Sequence, residues 1–593
     1  MNDLNNPDVK QEDSGQENAS GNMYSYRDDN QKAQETGAIR RSLGEGNPNI
    51  DFAQNNFGSG YNQNYVNNGE VGLQYSQQDN NNLDNNSSYY LTYIILLFIE
   101  VVIIIILIVF FLNNIKLYED KDEDNIKKFE NILFNYGLFR DMNVMVFFGF
   151  GILHSILRRN AWLSISINTL LIAISIQFSI FFNFLWKKAF KEEWKDEYLD
   201  ISYLMRSIFI SCSVVISLGC VSGKLSMIQY LIMTIFESIL SCLNYQLCEE
   251  KLESIDVGGA LYIHTFGAIF GISMSMVLFC SKKVKNEIQK FNYLYKSNYF
   301  SSLTAFLGII ILFCFFPSFN SALASIDKNK EKLVNISQNF NIVKEIELQR
   351  QRGRINTYFS LFGSAISSFI TSGLFNKGRF VFEQILFGSI SGAIIISGCC
   401  TVCFDHWAAI IIGTLGSCIT VIFLSKIKPL FNKCGFQDTF NVVIIHGISG
   451  LLGSFITSMF VGNFKMRFYN VDTKGEKYKY IYTDFESRVD NNVQAGVQIG
   501  AIFITIGISF IGGIATGYLM KISTCGKLNQ YFTDAEFFKE EENNIFNYIE
   551  QNTIPNVEIN NPSLFPKKME FPHYENPRTK NPEIGGNQPS YFN

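Results

Sequence analysis

Charge is what this chain has least of. Asp, Glu, Lys and Arg make up 17% of its 593 residues, where a soluble protein of ordinary make-up carries about 25%. The shortfall lies in the middle, because both ends are polar. A formal net charge of −5 is small for this length and argues against a nucleic-acid partner. Metal spacing is missing too. Twelve Cys include the neighbours Cys399 and Cys400, but no paired CxxC or Cys/His zinc pattern occurs. Cys212, Cys220, Cys242 and Cys314 lie in apolar runs, where Cys behaves as a small hydrophobe. No nucleophile elbow, P-loop or zinc-protease motif is present, so no enzyme activity, cofactor or metal is expected. No secretory signal peptide is visible, and the first apolar run is expected to act as its own insertion signal.

What the chain has in quantity is apolar sequence, 47% of all residues with 55 Phe among them. Runs near the roughly 20 residues needed to span hydrocarbon recur from Tyr90 to Met520. Twelve windows follow: 90–112, 143–157, 161–186, 201–222, 225–247, 256–280, 299–320, 354–375, 381–401, 407–425, 438–461 and 494–520. The expected fold is an all-α polytopic membrane protein embedded in lipid. Residues 1–88 read as a disordered Asn/Gln-rich tail, 89–524 as the membrane domain and 525–593 as a second polar tail. In that tail QYFTDAEFF is the one patch suited to packing on the membrane domain.

An even number of spans puts both tails on one side. The loops 158–160, 281–298, 376–380 and 426–437 fall on that side and are dense in Lys and Arg, which makes it cytoplasmic by the positive-inside tendency. Asn335-Ile336-Ser337 is a glycosylation sequon in an outer loop by the same count. Glycines at packing spacing, Gly267 and Gly271, Gly388 and Gly392, Gly513 and Gly517, favour close helix approach.

Against this background DVGGALYIHTFGAIFG, from Asp256, stands out for its Asp and His. Ionisable residues inside a span mark function by default. QDTFNVVIIHGISGLLG, from Gln437, repeats the arrangement. In each, the Asp (Asp256, Asp438) precedes the His (His264, His446) by eight residues, and a Gly (Gly271, Gly453) follows seven later. The two segments open the sixth and eleventh windows, so they run in opposite directions, the mark of an inverted repeat with a midplane site. Eight residues rise about 12 Å on a helix, which carries each His toward the centre of a core about 30 Å thick. Either residue alone reads as a helix cap or a satisfied bundle residue; the matched pair at equal depth points to a site. His154, His406 and His573 lack such a partner and read as structural or as loop-edge residues.

These two segments resemble the pore-histidine helices of the ammonium transporter superfamily, in its Rhesus (Rh) branch. NVMVFFGFG, GKLSMIQYLIMT, FPSFNSA, INTYFSL, IGGIATG and FTDAEFF agree in order, over roughly residues 90–540. The resemblance implies a homotrimer, each subunit with a hydrophobic pore for ammonia or ammonium, methylammonium being a further substrate. It places the pore imidazoles at His264 and His446 and a stacked gate at Phe209 and Phe319. Asp256 becomes the acid near the outer vestibule and Asp438 its inverted counterpart. The plasma membrane is the expected location. A carbon dioxide or gas channel, and a non-conducting partner or scaffold subunit, are the alternatives. Three features depart from the pattern. Arg206 stands one turn before Phe209 and would oppose a cation unless an acid such as Asp200 pairs with it. FNVVII before His446 is bulky enough to narrow the inner half. A long insertion occupies 323–352.

Overall fold

Each apolar window becomes a helix. The computed structural model describes residues 90–109, 115–117, 135–190, 197–324, 336–403, 405–434, 437–462, 491–522 and 528–538. Ten of its helices are long and apolar enough to cross a membrane. They are α1 (Tyr90–Val109), α3 (Ala161–Phe190), α4 (Ile201–Val221), α5 (Met227–Lys251), α6 (Ala260–Phe279), α8 (Tyr299–Ser321), α9 (Ile336–Phe375, apolar from Glu347), α11 (His406–Lys426), α13 (Val443–Gly462) and α14 (Asn491–Leu519). Two more complete the set of twelve expected from sequence. The window at 143–157 begins earlier, as an irregular helix α2 over 135–156. The window at 381–401 is the shorter α10, Phe382–Ile396, followed by turns. Two short helices, α7 (Lys282–Lys290) and α12 (Lys428–Cys434), lie in the connections.

Among the described residues the fold is helical apart from one small exception. β1 (Ile115–Leu117) and β2 (Glu197–Leu199) pair in parallel, with Ile115 opposite Glu197. The described part of the 323–352 insertion is helical from Ile336 and continues into α9, where Arg350 donates to the Ala322 carbonyl and Arg352 to that of Thr401. The sequon at Asn335 and residues 1–88 lie outside the described residues.

Local signals start several helices. Ser226 and Gln229 form a reciprocal capping box at α5, and Asn298 and Ser301 do the same at α8. Asp200 accepts from the Tyr203 amide at the start of α4. The glycine pairs meet neighbouring helices closely. A β-carbon on Gly267 would stand 2.6 Å from the Ser213 carbonyl, and one on Gly517 would stand 2.9 Å from Val277.

Alternate connections meet one another at one end. The Arg158 amide donates to the Lys296 carbonyl (3.1 Å), Thr439 to Cys220 (3.0 Å) and Phe532 to Gly223 (2.8 Å). The loops after α2, α4, α6 and α12 therefore share a face with residues 528–538, as an even number of spans requires. This is also the face of the Lys- and Arg-rich loops.

The FTDAEFF segment acts here as a latch. Asp534 accepts from the amides of Trp162 (3.1 Å) and Leu163 (2.8 Å), so a residue about 370 positions downstream caps α3. Asp534→Ala is expected to cost about 0.5–2 kcal/mol, the usual worth of such a cap. It should also speed proteolysis of 528–538 in the purified protein. An unchanged digestion pattern would show that the carboxylate does not hold the segment.

Candidate functional site

The two repeats are built on the same plan, with the capped amides one position nearer the acid in the second. Asp256 Oδ2 accepts from the amides of Leu261 (2.8 Å) and Tyr262 (2.7 Å) at the start of α6. Asp438 accepts from Val442 (3.0 Å) and Val443 (2.9 Å) at the start of α13. In both cases a carboxylate meets the amides that a helix N-terminus leaves unpaired, at the positive end of its dipole. Five residues before each His the backbone turns left-handed, at Gly259 (φ 83°) and at Asn441 (φ 58°). Gly and Asn are the residues that tolerate this region best. Each His then sits in a π-helical turn, Ala260–Thr265 and Val443–Ile448, a widening frequent at functional sites. Seven residues further, Gly271 lies against Ser217 and Cys220 of α4, and Gly453 lies against the Ile395 carbonyl of α10. Close backbone contact at these two glycines sets the depth of both helices.

The result is a pair of imidazoles in the middle of the bundle. His264 and His446 are buried, with Nδ1 to Nδ1 at 3.1 Å and ring centroids 5.1 Å apart. One hydrogen bond between two Nδ1 atoms needs one proton between them. In two neutral rings the donor then has a bare Nε2, and the acceptor carries its own proton on Nε2. The pair therefore offers one lone pair and one N–H on its outward edges, and moving protons along the pair swaps the two. His264 Nε2 has no hydrogen-bond partner in the protein.

Rings continue in both directions. Phe209 of α4 and Phe319 of α8 stack at 5.2 Å and 16°. Phe319 meets Phe316 edge-on at 6.4 Å, and Phe316 lies 6.2 Å from His264. Pro317, which removes a backbone donor within α8, stands between those two phenylalanines. On the other side of the pair, Phe150 lies 6.2 Å from His446 and also 6.2 Å from His154, which stacks on Phe440 at 5.0 Å. His264, His446, Phe209 and Phe319 are thus brought into one file of rings. Asp256 and Asp438 stand at its flanks as caps, Asp256 buried and Asp438 half-buried behind its own helix start.

Sequence reasoning singled out none of Phe150, Phe316 and Phe440, and it read His154 as a structural or loop-edge residue. With 55 Phe in the chain nothing local marks these three, and His154 has no repeat partner. The FNVVII segment does fill the half of the file nearer Asp438. Phe440 covers His154, and Val442 packs against Gly219. His406 behaves as a loop-edge residue, with Nδ1 2.7 Å from Asn356 Oδ1 at the start of α11. His573 lies outside the described residues.

Arg206 is paired, but with a different acid from Asp200. Its guanidinium lies 3.6 Å from Glu250 and over the Tyr245 ring at 5.0 Å, whereas Asp200 is engaged at the α4 cap. Its charge is held sideways against α5. At the opposite end Lys224 is buried, donating to the Cys220 (2.9 Å) and Gln437 (3.0 Å) carbonyls. Burial draws its ammonium down to about 8, while the nearby Asp438 carboxylate works the other way. Among the described residues no cluster of His, Cys, Asp or Glu is arranged to hold a metal.

The helices and this central file define an integral, multi-pass membrane bundle with an inverted repeat around paired buried imidazoles. A family model described as the Ammonium Transporter Family matches residues 98–531, and the chain belongs to that family, in its Rh branch. It is 27% identical over 452 residues to human "Ammonium transporter Rh type C", covering 75% of this chain and 88% of the relative. It is 28% identical over 396 residues to "Ammonium transporter Rh type B" of Oryzias latipes, covering 66% and 79%. Among solved structures, Nitrosomonas europaea Rh50 superposes with a TM-score of 0.54 at 22% identity, over 71% of this chain and 96% of that one.

Proposed function

We propose that the chain is an ammonia channel or facilitator, conducting along the file of rings with His264 and His446 at its centre and Phe209 and Phe319 as its gate. The observation that carries this is the buried Nδ1–Nδ1 contact at 3.1 Å, joined through Phe316 to the stacked phenylalanines. A bare cation moved into such surroundings costs many kcal/mol, whereas neutral ammonia costs little. Aromatic faces at the gate attract the cation up to the point where its proton must leave. Beyond the gate, one imidazole edge accepts from ammonia and the other donates to it. Potassium has no proton to give up and is refused. Asp256 and Asp438 act by fixing the turns that aim the rings, and Asp256 lends negative charge near the outer vestibule. The reading extends to a homotrimer in the plasma membrane with both tails cytoplasmic, as the Lys- and Arg-rich loops favour.

The test is internal pH in liposomes carrying the purified protein after an ammonium gradient is imposed. Wild-type protein should alkalinise them faster than empty vesicles. Losing one hydrogen bond to the permeant molecule, as in His264→Ala or His446→Ala, should lower that excess about tenfold. Folded wild-type protein no faster than empty liposomes would sink the reading, leaving a gas channel for carbon dioxide or a non-conducting subunit.

A further inference from the structure

The half of the file on the Asp438 side holds a third imidazole. His154 lies near the end of α2, in the 3-10 turn His154–Ile156, in a chain where only five His occur. It is 5% exposed, and its Nδ1 has no hydrogen-bond partner. Buried polar atoms are nearly always paired, and an exception calls for an explanation. Packing gives none. The ring stacks on Phe440 and its Nε2 faces the Cα of Gly219, at 3.5 Å from where a β-carbon there would stand. Phe or Met would make the same apolar contacts without burying an unpaired nitrogen. His154 cannot reach the central pair directly, because Phe150 stands between, with its centroid 6.2 Å from His446 and from His154.

We propose that His154 is a further binding station for neutral ammonia, placed one ring beyond the twin imidazoles. Ammonia leaving His446 crosses the face of Phe150, exchanges hydrogen bonds with the free nitrogen of His154, and passes Phe440 toward the face that carries Lys224 and Asp438. A small uncharged molecule that both donates and accepts fits here, since a neutral imidazole presents one donor and one acceptor. The unpaired Nδ1 is then satisfied only while the permeant molecule is present. This inference rests on the function proposed above and extends it to a residue outside the repeat.

The same liposome assay tests it, with wild type, His154→Leu, His154→Gln, His264→Ala and empty vesicles run together. His154→Leu should slow ammonia-driven alkalinisation about tenfold, and His154→Gln, which keeps a donor and an acceptor, should remain within about twofold of wild type. His154→Met serves as the apolar variant if leucine lowers the yield of folded protein. A wild-type rate in His154→Leu overturns the inference while leaving the central pair intact. Equal slowing in His154→Leu and His154→Gln also overturns it, assigning the ring a packing role on Phe440. Wild-type protein no faster than empty vesicles removes the function itself, and the His264→Ala arm keeps that failure distinct from the other two.

Discussion

Asp256→Ala is expected to lower the thermal midpoint of the purified protein by several degrees. Its Oδ2 accepts from two consecutive amides, Leu261 at 2.8 Å and Tyr262 at 2.7 Å, in a place closed to water. Alanine leaves both donors buried and unpaired. At about 1–3 kcal/mol for each orphaned group the loss is about 2–6 kcal/mol, more than the Asp534 cap supplies at the protein surface. Asp256→Asn keeps an acceptor oxygen but not the charge, so it should fall between alanine and wild type. The same turn holds His264, three residues from the first capped amide, and disordering it should slow transport as well. Tryptophan fluorescence on heating reads the first effect and the liposome assay the second. A midpoint within a degree of wild type would show that the carboxylate is dispensable to the helix start.

Gly259→Val should damage both stability and the Phe209–Phe319 stack proposed as the gate. At φ 83° a β-branched residue is a true outlier, and the left-handed region alone costs roughly 1–2 kcal/mol. Any β-carbon there would also stand 2.6 Å from Ile263 Cδ1 and 2.9 Å from Phe209 Cζ. Something has to give, and the Phe209 ring, stacked on Phe319 in the core, is one of the two side chains in the way. The expected outcome is a lower midpoint together with an altered rate of ammonium-driven alkalinisation. Gly496→Val is the control, because a β-carbon at Gly496 meets nothing within 4 Å. If Gly259→Val matches Gly496→Val in both measurements, Gly259 does not position the Phe209–Phe319 stack.

Much of this architecture is legible in sequence because its determinants are close neighbours along the chain. A span is a run of apolar residues, and the windows at 201–222 and 299–320 match α4 and α8 within two residues at each end. The D-x7-H-x6-G repeat is legible for the same reason: cap, imidazole and packing glycine all lie within sixteen residues. The left-handed turn five residues before each His was not visible in this way. Gly fills it in one copy and Asn in the other, so the shared backbone hides behind different letters. The window at 143–157 started late because Arg140 and Asp141 break the apolar run, whereas the helix passes through them from residue 135.

Which ring meets which was decided only by the tertiary structure. Arg206 could be read as lying one turn from Phe209, but its choice of Glu250 over Asp200 depends on how α4 lies against α5. His154 and Phe440 are nearly three hundred residues apart in sequence and stack at 5.0 Å. In helices apolar on nearly every side, no stripe of sequence says which side turns inward, since lipid and protein are equally greasy neighbours. That rotation is set by close backbone contacts between distant helices, such as Gly271 on Ser217 and Gly453 on Ile395. The sequence alone therefore determined the spans, their alternation and the paired imidazoles. The packing of helices decided the file of rings that runs through them, because only it fixes which way each helix faces.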